Sequence, residues 1–242
     1  MNRKDNEGNL GGVLVLIPTY NEVGNIDPLI NSLEDQDCID WILFVDDSST
    51  DGTLEKLQVL QEKYDNLFIY QRPKKRGLGT ALRDGFRIAL ERFPFNLLVQ
   101  MDSDLSHDPA FIPKMLLSRS KVVVGSRYVD GGKILGWSLY RKLLSRGANF
   151  LARTLLGLKV RDVTSGYRMY SRRAVKTLAW ETSCRGYEFQ VEAIWLTQKH
   201  GMEVEEIPIM FTERFCGESK LHGVSEVRKL LTFLLKIRWG RQ

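Results

Sequence analysis

The sequence predicts an α/β fold with a mostly parallel sheet and helices on both faces. Short apolar segments of strand length alternate with helix-length segments through the first half of the chain. Strands of a parallel sheet are buried on both faces, and continuous apolar runs are typical of such strands. Acidic and aromatic residues follow three of these runs, at the strand ends where open α/β sheets bind their ligands.

The first half of the chain divides into five strands and four helices. The apolar runs predict strands at 13–17, 41–45, 67–70, 96–101 and 121–125. Pro18 ends the first strand because proline cannot donate to a ladder. The intervening segments predict helices at 25–34, 53–64, 79–91 and 109–117, and in the second of these Leu54, Leu57 and Leu60 recur at helical spacing.

The second half is less regular. It predicts a long basic amphipathic helix over 134–158, helices at 173–180 and 188–200, a strand at 203–209 and a final amphipathic helix over 224–239. No internal repeat, low-complexity tract or linker interrupts the chain. We therefore predict a single domain over residues 13–242, preceded by a flexible polar lead-in over residues 1–12.

Composition narrows the classes of protein and of partner. Apolar residues make up 43% of the 242 residues and charged residues 27%, a balance that excludes wholesale disorder. The net charge of +5 favours an anionic partner: nucleic acid, a nucleotide substrate or an anionic membrane. Three cysteines in no Cys-x-x-Cys pair favour a reducing compartment over a disulfide or zinc site. No segment approaches the ~18 apolar residues of a membrane helix, so we expect a soluble protein that touches a membrane only at its surface.

Asp102 and Asp104 carry the most informative chemical signal. They lie two residues apart directly after an apolar run, so in extended backbone their side chains share one face. Two facing carboxylates repel unless a cation lies between them, and oxygen ligands favour Mg²⁺ or Mn²⁺. For this pair alone, an Asp-rich turn without a bound metal is the alternative.

Two other strand ends deliver acidic or aromatic groups to the same edge. Pro18 lets Tyr20 and Glu22 face the carboxyl edge of the sheet, although an ordinary turn with a helix cap at Asn21 is the alternative. Asp47 follows the second strand and would accept hydrogen bonds from a ribose or a base. Three neighbouring strands therefore bring acidic or aromatic side chains to one edge of the sheet. This shared position indicates a binding site more strongly than any one motif does.

Seven motifs, taken in order, resemble one enzyme family. Three are Ile17-Pro-Thr-Tyr-Asn-Glu22, Val45-Asp-Asp-Ser-Ser-Thr-Asp-Gly-Thr53 and Met101-Asp-Ser-Asp-Leu-Ser-His107, and they resemble the family 2 glycosyltransferases with the GT-A fold. Four more resemble the dolichol-phosphate (polyprenol-phosphate) mannosyltransferases within it: Arg76-Gly-Leu-Gly-Thr-Ala81, Gly125-Ser-Arg-Tyr128, Asp162-Val-Thr-Ser-Gly-Tyr-Arg168 and Arg214-Phe-Cys-Gly-Glu-Ser-Lys220. The resemblance runs from Val13 to Lys220.

This resemblance implies inverting transfer of mannose from GDP-mannose to dolichyl or another polyprenyl phosphate, giving a lipid-linked mannose donor for glycosylation. It implies a divalent metal, Mg²⁺ or Mn²⁺, bound by Asp102, Asp104 and Ser106, the last being a glutamine in some relatives. The positions implied for the GDP-mannose donor are Pro18, Tyr20, Glu22, Val45, Asp47, Asp102, Ser103, Asp104, Arg127, Arg214 and Lys220. Those implied for catalysis are Asp104 together with the acceptor-phosphate residues Arg127, Arg141 and Ser145.

Electrostatics supports that implied assignment. A diphosphate donor and a phosphate acceptor repel, and each pair of unit charges ~4 Å apart costs roughly 4 kcal/mol at an effective dielectric constant of about 20. Arginine offers forked donors to phosphate oxygens, and Arg141 and Ser145 lie four apart on a predicted helix and so face the same way. An acceptor phosphate is already an anion near neutral pH, so it requires no general base.

The two predicted amphipathic helices, 134–158 and 224–239, bear on localisation. An apolar stripe flanked by basic residues either packs on the core or lies at a membrane interface, and the sequence leaves both open. We expect a peripheral protein on the cytosolic face of a membrane, the endoplasmic reticulum in a eukaryote. A membrane-embedded partner subunit is compatible with this arrangement.

Three alternative functions remain at this point. The same fold would also suit another sugar, such as glucose from UDP-glucose, on a polyprenyl phosphate. An NAD-dependent oxidoreductase is disfavoured because the glycine turn at 76–81 lacks the third glycine of a dinucleotide fingerprint, where Leu82 stands. A tight turn into a helix explains those glycines. A nucleic-acid-binding module is disfavoured by the modest charge and by the lack of a recognised motif.

Overall fold

A seven-stranded sheet forms the centre of the computed structural model, which describes residues 11–213 and 223–240. The strands are β1 (Gly12–Thr19), β2 (Trp41–Asp46), β3 (Leu67–Gln71), β4 (Phe95–Gln100), β5 (Val122–Ser126), β6 (Lys133–Ile134), β7 (Arg168–Ser171), β8 (Val204–Pro208) and β9 (Met210–Phe211). The order in the main sheet is β3-β2-β1-β4-β7-β5-β8, while β6 and β9 pair separately. Only β7 runs antiparallel within the main sheet, against both β4 and β5. The predicted mostly parallel sheet is confirmed.

Helices cover both faces of this sheet. They are α1 (Val23–Glu34), α2 (Thr53–Gln61), α3 (Leu78–Arg92), α4 (Ile112–Leu116), α5 (Leu139–Leu156), α6 (Arg172–Glu181), α7 (Phe189–Lys199) and α8 (Gly223–Trp239), with a 3₁₀ turn at Pro109–Phe111 leading into α4. Successive side chains along a strand point to opposite faces of the sheet, so β1 contributes to the hydrophobic core on each face. Leu14 and Leu16 pack with α3, α6 and α7, whereas Val15 and Ile17 pack with α1 and α4.

The long basic helix begins later than the sequence suggests. Ile134 lies in the short strand β6, and Gly136 has a φ of +83° that no helix tolerates. Ser138 then caps α5 by accepting a hydrogen bond from the backbone amide of Arg141 at 3.3 Å. The prediction of a helix from residue 134 was therefore wrong by five residues, while its end near residue 158 was close.

The antiparallel strand β7 was not predicted. It has four residues, and its first, Arg168, is fully buried. The guanidinium of Arg168 donates to the backbone oxygens of Gln190 at 2.7 Å and Val163 at 2.8 Å, which makes burial of this charge tolerable. A strand with a buried arginine does not show the apolar run that identifies its neighbours.

The final helix packs on the domain with one face and exposes the other. Leu234 of α8 is buried in a third cluster with Ala152 of α5 and Ile194 of α7. Trp239 is 69% exposed, and Leu231 and Leu235 are also exposed. Across the two described stretches, none of the helices has the length and apolar character needed to cross a bilayer.

Candidate active site

The carboxyl ends of β1, β2 and β4 open into a cavity of about 700 Å³. Helices α3, α5, α7 and α8, the turn before α3 and the loop before β7 contribute further walls. Ten of the residues singled out from the sequence line it: Pro18, Tyr20, Glu22, Asp47, Asp102, Ser103, Asp104, Arg127, Arg141 and Ser145. The prediction that three neighbouring strand ends converge is confirmed.

Two other described residues singled out from the sequence, Val45 and Ser106, are not among those lining the cavity. The side chain of Val45 is fully buried in the core on the α3 side of the sheet. Ser106 is buried, and its hydroxyl donates to Asp104 rather than lining the cavity. Arg214 and Lys220 lie outside the described residues.

Asp102 and Asp104 lie in the loop after β4 and not in the strand. The strand ends at Gln100, and Leu105 has a left-handed φ of +63°, so strand alternation is the wrong reason for expecting the two carboxylates together. They reach one cavity because the loop turns. Asp104 is buried, and its Oδ1 accepts from the amide of Ser106 at 3.1 Å.

Gly166 packs directly against the Asp102 carboxylate. A Cβ built at this glycine would lie 3.2 Å and 3.3 Å from the two Asp102 oxygens. The absence of a side chain therefore leaves room for the carboxylate in its present position. Gly166 stands inside the Asp162–Arg168 motif, but sequence reasoning assigned it no role, because its neighbour is 64 positions away.

His107 orients the same loop as a neutral ring. Its Nδ1 accepts a hydrogen bond from the backbone amide of Asp102 at 3.0 Å, and the ring stacks on Tyr167 with 5.0 Å between centroids. Burial lowers the pKa of His107 to about 4; Asp104 opposes this shift and Arg127 adds to it. The imidazole is therefore uncharged near neutral pH. Sequence reasoning placed His107 in a motif without recognising this role.

The Asp47 carboxylate is held by a buried arginine and a glycine turn. It accepts from the guanidinium of Arg72, from the amide of Arg76 at 3.1 Å and from the amide of Gly77 at 2.9 Å. Gly77 adopts a φ of +97°, which favours glycine. The predicted tight turn at 76–81 is thus observed, and it orients Asp47 at the cavity edge. Arg72, which also pairs with Asp84 at 3.0 Å, was missed from sequence.

A buried ion pair fixes Arg127. Its Nε and Nη2 donate to the two carboxylate oxygens of Asp162, each at 2.7 Å, and Nη2 also donates to Thr164 at 2.9 Å. Burial alone would raise the pKa of Asp162, but the charge and hydrogen bonds of Arg127 lower it below its ordinary value. Both groups are therefore charged at neutral pH, and the arginine is rigidly placed.

Arg141 and Ser145 face the cavity from the same side of α5, as predicted. Arg141 pairs with Glu213, and its guanidinium carbon lies 4.2 Å from the ring centroid of Trp137. Ser145 accepts a hydrogen bond from the hydroxyl of Tyr128 at 2.8 Å. The site therefore combines two carboxylates from the loop after β4 with two oriented guanidinium groups.

The oxygen donors suit a hard divalent cation. Within the described ranges, no group of three or more histidine, cysteine or acidic side chains could hold a metal ion by itself. The Asp102 and Asp104 carboxylates form a smaller set, of the kind that binds Mg²⁺ together with water and substrate phosphates. Gly166 leaves the space that the Asp102 oxygens need.

Comparisons with known proteins identify relatives over most of the chain. The sequence model described as Glycosyl transferase family 2 matches residues 14–179. An undecaprenyl-phosphate mannosyltransferase of Micrococcus luteus is 37% identical over 94% of this chain and 93% of its own. A polyprenol monophosphomannose synthase of Mycolicibacterium smegmatis is 38% identical over 94% of this chain and 86% of its own.

Solved structures share the fold at low sequence identity. Glucosyl-3-phosphoglycerate synthase from Mycobacterium tuberculosis, in complex with Mn²⁺, uridine diphosphate and glucosyl-3-phosphoglycerate, superposes with a TM-score of 0.69. The two sequences are 19% identical, and the match covers 96% of this chain and 81% of that one. This likeness supports the architecture of strands and helices described above.

Proposed function

The chain belongs to glycosyltransferase family 2, and from that premise we propose that it transfers mannose from GDP-mannose to a polyprenyl phosphate. Relatives named for mannose transfer to such lipids match most of its length. The observation that carries the proposal is the lining of one cavity. Its walls include Asp102 and Asp104 together with Arg127, Arg141 and Ser145. Carboxylates suit a cation and a sugar nucleotide, and the arginines suit a phosphate acceptor.

Asp102 and Asp104 would hold the divalent metal, Mg²⁺ or Mn²⁺. When bound, such an ion offsets the negative charge of a diphosphate leaving group. Ser106 contributes indirectly, because its hydroxyl and amide both donate to Asp104 and orient that carboxylate.

The nucleotide would lie along the ends of β1 and β2. Pro18, Tyr20, Glu22 and Asp47 line that part of the cavity, and Asp47 is already oriented by its arginine and backbone donors. Ser103 lies beside them, with its hydroxyl 3.4 Å from the backbone oxygen of Pro18. By resemblance to the family, Arg214 and Lys220 would complete the donor site. The backbone of Val45, rather than its buried side chain, would take part.

The acceptor phosphate would meet Arg127, Arg141 and Ser145. The phosphate is an anion near neutral pH and attacks the anomeric carbon without a general base, with inversion of configuration. Arg127 and Arg141 offset the repulsion between acceptor and donor phosphates. A lipid acceptor requires the protein to work at a membrane, and we place it peripherally on the cytosolic face, alone or with a membrane-embedded partner subunit.

Thermal unfolding tests the donor and the metal. The full chain is melted with GDP-mannose, UDP-glucose or NAD, each with and without Mn²⁺. A ligand at ~100 times its dissociation constant stabilises by about 2.7 kcal/mol, which corresponds to roughly 5–10 °C for a chain of this size. We expect that shift with GDP-mannose and Mn²⁺ together. A larger shift with UDP-glucose would favour the glucosyl alternative, and a shift with NAD alone would contradict the proposal.

A further inference from the structure

A second cavity lies on the other side of Arg127 from the active site. Its volume is about 360 Å³, and of the residues that the structure describes Arg127 alone lines both cavities. The loop after β5, the outer face of α5 and Arg161 form its walls. The lining residues are Arg127, Tyr128, Val129, Gly132, Arg146, Asn149, Phe150, Arg153 and Arg161.

The charge of this second cavity is positive and largely uncompensated. Over residues 11–213 and 223–240, the lining includes four arginines and no acidic residue. Asp162 neutralises Arg127, but within the described part of the chain Arg146, Arg153 and Arg161 form no ion pair. The nearby Glu206 accepts instead from the backbone amides of Arg161 and Asp162, at 2.7 Å and 2.9 Å.

Arg153 supplies a second observation that points to an anionic ligand. Its Nε is buried and makes no hydrogen bond. A buried donor without an acceptor is costly, and guanidinium groups pair readily with the oxygens of a phosphate. Three such groups around a concave surface would satisfy several phosphate oxygens at once.

The same face of α5 continues into exposed apolar residues. Leu139, Leu143, Arg146, Phe150 and Arg153 recur at intervals of four and three, so they lie along one side of the helix. Leu139 is 73% exposed and Phe150 is 69% exposed. An arginine-lined cavity beside exposed apolar side chains suits a phosphate group whose ester carries acyl chains, as well as a free phosphate.

We propose that the second cavity is a binding site for a phosphate group, distinct from the active site, contributed by an anionic phospholipid headgroup or by free phosphate. Arg146, Arg153 and Arg161 contact the phosphate oxygens. Arg127 forms the shared wall, so an occupied site would sit directly behind the guanidinium proposed to hold the acceptor.

Binding measurements on the full chain test this site without any sugar donor or polyprenyl phosphate, so the result does not depend on the proposed function. One arm titrates inorganic phosphate by calorimetry. The other measures co-sedimentation with phosphatidylcholine vesicles, with and without phosphatidylglycerol. The variants are Arg146→Gln and Arg153→Gln, and the matched control is Lys142→Gln, which removes the same charge from the same helix but does not line the cavity.

We expect each arginine variant to weaken binding about fivefold, the typical contribution of one basic residue at an anionic surface, and Lys142→Gln to change it less than about twofold. If the arginine variants weaken binding to vesicles alone, the ligand is a lipid headgroup. If they weaken binding both to vesicles and to inorganic phosphate, the site also takes free phosphate. Equal losses for all three variants would show general charge attraction and overturn the proposal. Unchanged binding in both arms would overturn it as well. Arg146 is exposed, so its variant keeps the test valid if Arg153→Gln fails to fold.

Discussion

Asp104 is the carboxylate on which the proposed chemistry depends most. It is buried at the cavity wall and oriented by the Ser106 amide and hydroxyl. A carboxylate held in this way is ready to bind a cation without rearrangement, which is the condition for strong electrostatic stabilisation of a leaving group.

Replacing Asp104 with alanine is expected to reduce kcat by about a hundredfold or more, because one oriented charged group is lost from the site. Initial rates of mannose transfer at saturating metal check this. Asp65→Ala is the matched control, since Asp65 is exposed and does not line the cavity. A loss below about tenfold, with the variant still folded, would remove Asp104 from the mechanism.

Gly166→Ala tests the space left for Asp102. The new Cβ would lie 3.2 Å from a carboxylate oxygen and 3.4 Å from the His107 ring, so the carboxylate must move by a few tenths of an ångström. Supporting contacts of this kind usually change metal affinity or activity by about 10–100-fold. When the transfer rate is measured at increasing Mn²⁺ concentration, the variant should show a lower apparent affinity for Mn²⁺. Its melting temperature should be unchanged. Wild-type metal affinity would contradict the role assigned to this glycine.

The Arg127–Asp162 pair predicts a specific pH dependence of stability. Asp162 has a lowered pKa in the folded state, so its contribution is complete above its ordinary pKa of about 3.9 and is lost as the pH falls below that value. Asp162→Asn leaves a buried arginine without its counter-ion and should cost about 3–5 kcal/mol at pH 7.

Urea unfolding of the wild type and of Asp162→Asn at pH 7, 5 and 3 measures this effect. The difference in unfolding free energy should shrink at pH 3, while Asp65→Asn should show almost none at any pH. A difference that stays constant from pH 7 to pH 3 would mean that folding does not lower the pKa of Asp162.

Single residues also show where sequence reasoning ends. The sequence predicted that Tyr20, Asp47 and Asp102 lie close together because each follows the end of a strand. The rule that open α/β sheets bind ligands at the carboxyl ends of their strands was sufficient for that prediction. Arg72, Asp162 and Gly166 were not assigned roles, because each acts through a partner 25–64 positions away in the chain. Such partners are decided by packing, which no local pattern reveals.

At the scale of elements, α5 connects the two cavities and the outer surface. Arg141 and Ser145 face the active site, Ala152 faces the core, and Leu139 and Leu143 face outward. The amphipathic pattern predicted the helix, but three faces with different roles could not be separated from sequence. Its start was misplaced because Ile134 fits a helical stripe, whereas Gly136 and the Ser138 cap set the true boundary.

Leu139→Ser with Leu143→Ser tests whether the outer face of α5 touches a membrane. Both side chains are exposed, at 73% and 58%, so their loss should leave the melting temperature unchanged. Burial of a leucine in lipid contributes about 1.5–3 kcal/mol, and the double variant should therefore bind vesicles at least tenfold more weakly. Val59→Ser, on the exposed side of α2, is the control. Equal vesicle binding of wild type and double variant would place the membrane contact elsewhere.

The whole molecule is a GT-A sheet with one irregular strand. Alternating strands and helices through β4 predicted the parallel part of the sheet, because each strand–helix unit is local. The insertion of β7 between β4 and β5 was not, since its sequence has a buried charge instead of an apolar run. That insertion places the loop from Asp162 to Gly166 beside the β4 end, which brings Arg127 and Asp102 into one cavity.

The proposed function specifies which sugar reaches which acceptor, and a transfer assay with radiolabelled donors tests it directly. The full chain is incubated with Mn²⁺, a defined polyprenyl phosphate and either labelled GDP-mannose or labelled UDP-glucose, and the lipid product is extracted and counted. The proposed function predicts metal-dependent labelling of the lipid from GDP-mannose and almost none from UDP-glucose. Labelling from UDP-glucose alone, or no lipid product from GDP-mannose with a folded and metal-loaded protein, would contradict it.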